Sequence, residues 1–215
     1  MTDSARSIDP IVLRGRYVAL SPLIPADHAA PLYAICHGPA REHLWCFLRD
    51  GPFPDLSAYR LHLDEFVRRD TFMAFAILDN VSGDVVGKVS LIRFSPVHLS
   101  IEIGYILFAP GLQGTRGGTE ALYLVARHAF EHLGCRRCEW RSDSRNEASI
   151  RAATRLGFRE EGILRQHMIV KMRNRDTVVF SLLDGEWPAR KAAIELWLRP
   201  ANFDASRRQI TALRR

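Results

Sequence analysis

Lysine is nearly missing from this chain. Of its 30 basic residues only Lys88, Lys171 and Lys191 are lysine, which leaves 27 arginines. The formal charge of +6 is therefore carried by guanidinium groups, which suit bidentate contacts with phosphates and carboxylates. The basic residues are scattered and not interleaved with aromatics, so a nucleic-acid partner has only net charge in its favour and is not expected. A long apolar run is missing too. No stretch approaches the ~18 residues of a membrane span, so no membrane partner is expected. The polar start MTDSARSIDP lacks the apolar centre of a signal peptide. Four cysteines (Cys36, Cys46, Cys135, Cys138) are too few for a disulfide framework in a chain of 215 residues. Together these absences point to a reducing, cytoplasmic setting. Repeats, low-complexity tracts and long linkers are lacking as well, which favours one large domain with a decorated end.

Several elements can be read from the residues that remain. Tyr17 to Leu20 is short and β-prone. Pro25-Ala26-Asp27 opens a helix through Ile35 that stops at Gly38-Pro39. Residues 40–56 hold Trp45, Phe47 and Phe53 among Pro and Gly breakers and read as a folded-over loop. Leu56 to Arg69 carries Leu56, Tyr59, Leu63, Phe66 and Val67 near one helical face. Phe72–Leu78, Val85–Phe94 and Leu99–Phe108 read as an antiparallel meander, because their connections are too short for crossovers. A helix over about 116–132, a strand at 137–141, a helix over 146–156, strands at 158–169 and 177–183 and a last helix over 189–198 complete the order. The class is α/β in the mixed α+β sense.

The stretch Gly104 to Thr119, GYILFAPGLQGTRGGT, stands out. A β-type run ends at Ala109-Pro110-Gly111, and Gln113 to Gly118 opens a helix. Three glycines (Gly114, Gly117, Gly118) within five positions are costly in a helix that only has to be a helix. Bare N–H groups at a positive helix end, without bulky Cβ atoms, make a ready site for an anionic phosphate.

This stretch resembles the coenzyme-binding segment of the GNAT superfamily of acyl-CoA N-acyltransferases, whose fingerprint is Gln/Arg-x-x-Gly-x-Gly/Ala at a helix start. Gln113, Gly117 and Gly118 sit in that neighbourhood, with Arg116 where glycine is usual at the fourth position. Asn146-Glu147-Ala148-Ser149, then Arg155-Leu156-Gly157-Phe158 and Glu161-Gly162, resemble the RimJ/RimL-like branch that acetylates ribosomal-protein N-termini. The resemblance covers roughly residues 11–185, the expected N-acetyltransferase domain, with 186–215 as a helical tail. It implies a central mixed, mostly antiparallel sheet flanked by helices. Two neighbouring parallel strands, near 99–108 and 136–142, would splay apart to admit the pantetheine arm, which pairs with the free strand edge.

Moving an acetyl group from a thioester to an amine requires four things. The coenzyme must be held, the amine must lose a proton, the oxyanion must be stabilised and the thiolate must leave. The resemblance assigns the holding of acetyl-CoA to Gln113, Gly114, Thr115, Arg116, Gly117, Gly118 and Thr119. Arg116 either adds a charge-assisted contact or points into water. The backbone of Ile106, Leu107 and Phe108 would pair with pantetheine. Asn146 suits both a pantetheine contact and a helix N-cap. Ser149, on nearly the same helical face, would donate to the leaving thiolate or bond its own backbone. Glu102 lies opposite Ile101 and Ile103 in strand alternation and is the first choice of proton acceptor; its other reading is a solvated or sheet-paired carboxylate. Asp143 is the second choice. Trp45, Phe47 and Phe53 either wall a substrate groove or form a small satellite core.

Two further motifs carry less. His128-x-x-Glu131-His132 has zinc-protease spacing but no third ligand in view, so no metal is expected. Cys135-x-x-Cys138 follows a helix and enters a strand, the wrong place for a redox motif. The expected function is transfer of an acetyl group from acetyl-CoA to a primary amine in a ternary complex, the acceptor being a protein N-terminus or a small amine. A catalytically idle CoA-binding domain is the alternative. Homodimers are common among such proteins, and the tail helix either serves that purpose or covers the sheet.

Overall fold

A computed structural model describes residues 11–206 and 208–213. Two short strands, β1 (Leu13–Arg14) and β2 (Val18–Pro22), begin the sheet. Helix α1 (Pro25–Cys36) has proline in its first turn, where the missing N–H costs nothing. A 3-10 turn over Pro39–Trp45 follows. Helix α2 (Leu56–Val67) is capped by Asp55, whose carboxylate accepts from the Ala58 N–H at 2.8 Å. Its Tyr59, Leu63 and Phe66 are fully buried on one face.

Strands β3 (Met73–Asp79), β4 (Val85–Ser95) and β5 (Ser100–Phe108) form the antiparallel meander expected from their short connections. Helix α3 (Arg116–Arg127) ends in a π turn over His128–His132, so the expected 116–132 helix keeps its extent but not its pitch. Then come β6 (Arg137–Asp143), α4 (Glu147–Arg155), β7 (Arg159–Val170), β8 (Arg173–Leu183) and α5 (Trp187–Trp197). One sheet holds the strands in the order β1-β2-β3-β4-β5-β6-β8-β7. Every neighbouring pair is antiparallel except β5–β6.

Strand β8 begins four residues before the expected Thr177. Val170 pairs with Arg173, leaving Lys171 and Met172 as a two-residue hairpin turn with φ of 49° and 61°. That conformation normally advertises itself through Asn or Gly, and here neither is present.

The sheet separates two apolar clusters. Phe75 and Ile77 face the larger, with Ile101, Ile103 and most of α3. Ala76, between them, faces the smaller, with Leu32, Trp45, Tyr59, Leu63 and Leu107. Trp187, Ile194 and Trp197 of α5 join the larger cluster, and the Tyr123 hydroxyl donates to Glu195 at 2.6 Å. The last helix thus covers α3. Glu120 ties α3 to the first strands by accepting from three backbone amides, those of Arg16, Tyr17 and Val18, at 2.6–2.9 Å. Charge-assisted bonds of this kind contribute about 1.5–3 kcal/mol each.

Candidate active site

The parallel pair β5–β6 is where the sheet opens. Pairing runs from Ser100–Arg137 to Ile103–Trp140 and then stops. Beyond that point Gly104–Phe108 stays hydrogen-bonded to β4 and Arg141–Asp143 stays bonded to β8, while the two strands no longer reach each other. A bulge accompanies the separation. Between the Ser90–Gly104 and Lys88–Leu107 pairs β5 holds one more residue than β4, and Tyr105 sits at φ 50°. Such a bulge bends its strand and re-aims its side chains. The gap forms a cleft of about 1070 Å3, lined by residues 104–108, by the α3 entry and by Trp140–Asp143, Asn146 and Ser149.

At one end of the cleft lies the glycine turn. The Gln113 amide nitrogen donates to the Phe108 carbonyl at 3.1 Å, and Thr115 caps α3 by accepting from the Gly118 N–H at 3.1 Å. Among the described residues the amides of Gly114, Arg116 and Gly117 meet no acceptor. Gly114 has φ 69°, and a Cβ there would meet nothing within 4 Å. The other two glycines serve packing. A Cβ on Gly118 would lie 2.7 Å from the Leu112 carbonyl, and one on Gly117 would lie 3.2 Å from Val18. Gly117, unlike Gly118 and Thr119, does not line the cleft. Arg116 lines the cleft, and its guanidinium stacks 4.2 Å from the Tyr17 ring centroid, a cation–π contact.

In the middle stand Asn146 and Ser149. Asn146 is the N-cap of α4, its carbonyl oxygen accepting from the Ser149 N–H at 3.1 Å. Ser149 was expected to bond its own backbone or a departing thiolate. Its Oγ accepts from the Trp140 indole N–H at 2.9 Å, which leaves its own hydrogen free to be donated. That bond occupies a lone pair of Oγ and turns the hydroxyl hydrogen away from the indole. Sequence reading missed Trp140; its only signal was an aromatic with a polar handle on the strand leading to Asn146.

Glu102 and Asp143 both line the cleft but in opposite electrostatic states. Glu102 is 6% exposed and lies 3.0 Å from Arg93 and 3.6 Å from Arg141. Burial raises its pKa, and the two arginines only partly offset that. For Asp143, burial also pushes upward, but Arg145 overrides it with bonds from its backbone N–H, Nε and a terminal nitrogen at 2.9–3.1 Å. The carboxyl is held below the usual range. Of the two carboxyls, Glu102 is therefore the one whose pKa is raised and Asp143 the one held down.

The three aromatics of the 40–56 loop separate. Phe47 lines the cleft. Trp45 is 2% exposed and its indole N–H donates to the Cys36 carbonyl at 2.7 Å, while Phe53 packs against it edge-on at 5.7 Å. Trp45 and Phe53 thus belong to the satellite core and do not line the cleft. The side motifs lie elsewhere. His128 is buried and stacked on His132 at 5.2 Å, with its pKa lowered to about 4, first by burial and then by His132. Cys135 and Cys138 are buried thiols, and burial pushes the Cys138 thiol well up. Among the described residues no three His, Cys, Asp or Glu side chains converge as metal ligands. No helix among the described residues is long and apolar enough to cross a membrane.

Residues 18–159 match the protein family described as "Acetyltransferase (GNAT) domain". The crystal structure of a GCN5-related N-acetyltransferase from Brucella melitensis is 41% identical and superposes with a TM-score of 0.92 over 95% of this chain and 93% of that one. A structure titled "probable acetyltransferases (GNAT family)" from Chromobacterium violaceum is also 41% identical, with a TM-score of 0.80 over 87% of this chain and 95% of the other. The Bacillus subtilis protein named "Putative ribosomal N-acetyltransferase YdaF" is 28% identical over 181 residues, 81% of this chain and 96% of its own.

Proposed function

The chain belongs to the GNAT acetyltransferase family and is an N-acetyltransferase, and from that premise we propose how its cleft works. It holds acetyl-CoA along the splayed edge of β5 and passes the acetyl group directly to a primary amine bound beside Glu102. The observation that carries this reading is the parting of β5 from β6 after Ile103–Trp140, which leaves one edge of residues 104–108 without a strand partner inside a deep cleft. A pantetheine arm, with its two amides, can add to such an edge as a peptide does.

Bound acetyl-CoA supplies the acetyl group, already activated as a thioester. The chain's own residues supply the rest. The open amides of Gly114 and Arg116, which line the cleft at the positive end of α3, suit the diphosphate. The main chain of Ile106, Leu107 and Phe108 orients the arm and polarises the carbonyl. The Asn146 amide nitrogen faces the same arm while its oxygen caps α4. Ser149, pinned by Trp140, directs its hydroxyl hydrogen to the sulfur as it departs. Glu102 takes the proton from the ammonium, directly or through a water, and its raised pKa makes it a stronger base than an ordinary carboxylate.

The acceptor is a primary amine, and the ribosomal relative supports counting a protein N-terminus among the candidates. The experiment is release of free CoA from acetyl-CoA across a panel of amines. Release that requires an amine and scales with its concentration is expected. Tight CoA binding with no release for any amine would instead mark an idle binding domain.

A further inference from the structure

At the Glu102 end the cleft is ringed by positive charge that acetyl transfer itself does not require. Arg49 from the loop before α2, Arg93 on β4, Arg141 on β6 and Arg175 on β8 all line it, with His167 on β7. Two of them have carboxylates: Arg93 meets Glu102, and Arg141 meets Glu102 and Glu139. Among the described residues Arg49 and Arg175 meet none. Asp143, the acid nearest in kind, is committed to Arg145. Arg175 is only 8% exposed, and its Nε donates to the Thr177 hydroxyl at 3.1 Å. Arg175 feels the charges of Asp143 and Glu102, but neither carboxylate is in direct contact with it, so a guanidinium that deep is only partly neutralised and an anion in the cleft would complete the arrangement. The summed field is felt by His167, whose pKa is lowered by burial and then by Arg141, Arg175, Arg49 and Arg93 together.

These arginines cannot serve the coenzyme diphosphate. Glu102 and Phe108 are six residues apart on β5, which is roughly 20 Å of strand, and the glycine turn lies beyond Phe108. The two ends of the cleft therefore need two separate anions.

We propose that Arg175 and Arg49 form a carboxylate-binding subsite for the acceptor. The substrate is then an acidic amine: a primary amine whose side chain ends in a carboxylate, apart from any α-carboxyl, its ammonium toward Glu102 and that side-chain carboxylate toward Arg175. A polycationic amine is repelled. This rests on the reading that the cleft takes an amine at Glu102. The carboxylate is either that of a free acidic amino acid or the side chain of an acidic residue at a peptide N-terminus.

The test has two arms. In the first, CoA release is followed with free glutamate and glutamine, with short peptides beginning in Glu or Gln, and with spermidine. An acid-to-amide ratio in kcat/KM of about tenfold or more is expected in one pair, and which pair shows it identifies the source. Spermidine is expected to be the poorest acceptor. Arg175→Gln should bring that ratio close to one, with Arg175→Lys recovering part of it. The second arm needs no turnover. N-acetylglutamate and N-acetylglutamine, and the matching acetylated peptides, are titrated calorimetrically into the protein with CoA present. Tighter binding of an acidic product, lost in Arg175→Gln at unchanged CoA affinity, supports the subsite. Equal binding of acid and amide, or a preference for spermidine, overturns it. Discrimination in the second arm without release in the first would sink the reaction proposed above and leave the subsite standing.

Discussion

The two ends of the cleft solve the same problem, holding a negative group, by different means. The α3 end uses main chain: the amides of Gly114 and Arg116 at a helix start, with the Arg116 guanidinium stacked on Tyr17. The Glu102 end uses side chains: four arginines delivered by a loop and three strands. Main-chain donors are fixed by the turn: only proline deletes one, and any other substitution can only displace it. Side-chain charges can be removed singly, and each removal should change selectivity before it changes the fold. This division suits a protein whose coenzyme is constant and whose acceptor has to be chosen.

The sharpest way to break the contrast is at Glu102, where the acceptor end meets the chemistry. Glu102→Gln keeps shape and loses the base, and kcat is expected to fall by about 100-fold, with coenzyme affinity nearly unchanged. A coenzyme titration beside steady-state kinetics measures both. The coenzyme end should break differently. Gly118→Ala places a Cβ 2.7 Å from the Leu112 carbonyl, so the turn must shift. A loss of about 1–3 kcal/mol in unfolding free energy is expected, together with weaker CoA binding. Denaturant unfolding with and without CoA reads both.

Ser149→Ala is expected to lower turnover by about tenfold while sparing coenzyme affinity. Trp140→Phe removes the indole donor and keeps the ring, so it should cost about threefold through a loosened Ser149 rotamer. If Trp140→Phe exceeded Ser149→Ala in effect, the positioning role would be wrong. The smallest effect is on pH dependence. Glu102 must be ionised to accept a proton and its pKa is raised, so kcat/KM should fall, as pH drops, at a value above the ordinary carboxylate range. Arg93 holds that pKa down, so Arg93→Gln should move the acid limb to higher pH; a limb that moved lower would contradict the assignment.

The same contrast explains what the sequence disclosed. The α3 end is contiguous: Gln113 to Thr119 carries glycines at close spacing, and that is visible without any knowledge of contacts. A packing reason was not visible: a Cβ on Gly117 or Gly118 would press on Val18, Leu112 or Phe108, which the sequence alone cannot show. The meander was legible because short connections permit only antiparallel pairing. The Glu102 end was legible only in part. Alternation placed Glu102, but Arg49, Arg93, Arg141 and Arg175 stand up to 126 positions apart in a chain with 27 arginines, and only pairing through β4, β5, β6 and β8 assembles them. Trp45 and Phe53 were drawn to the substrate side by their loop composition, yet α1 and α2 bury them. The turn at Lys171-Met172 carries no turn residue and was invisible for that reason.

The central claim is that the parted strands hold the coenzyme, with its diphosphate at the α3 turn. A crystal structure with CoA bound measures this most directly. The diphosphate should accept from the main-chain amides of Gly114 and Arg116, with the pantetheine amides paired along residues 104–108. CoA bound outside the β5–β6 gap, with those amides contacting only solvent, would contradict the account.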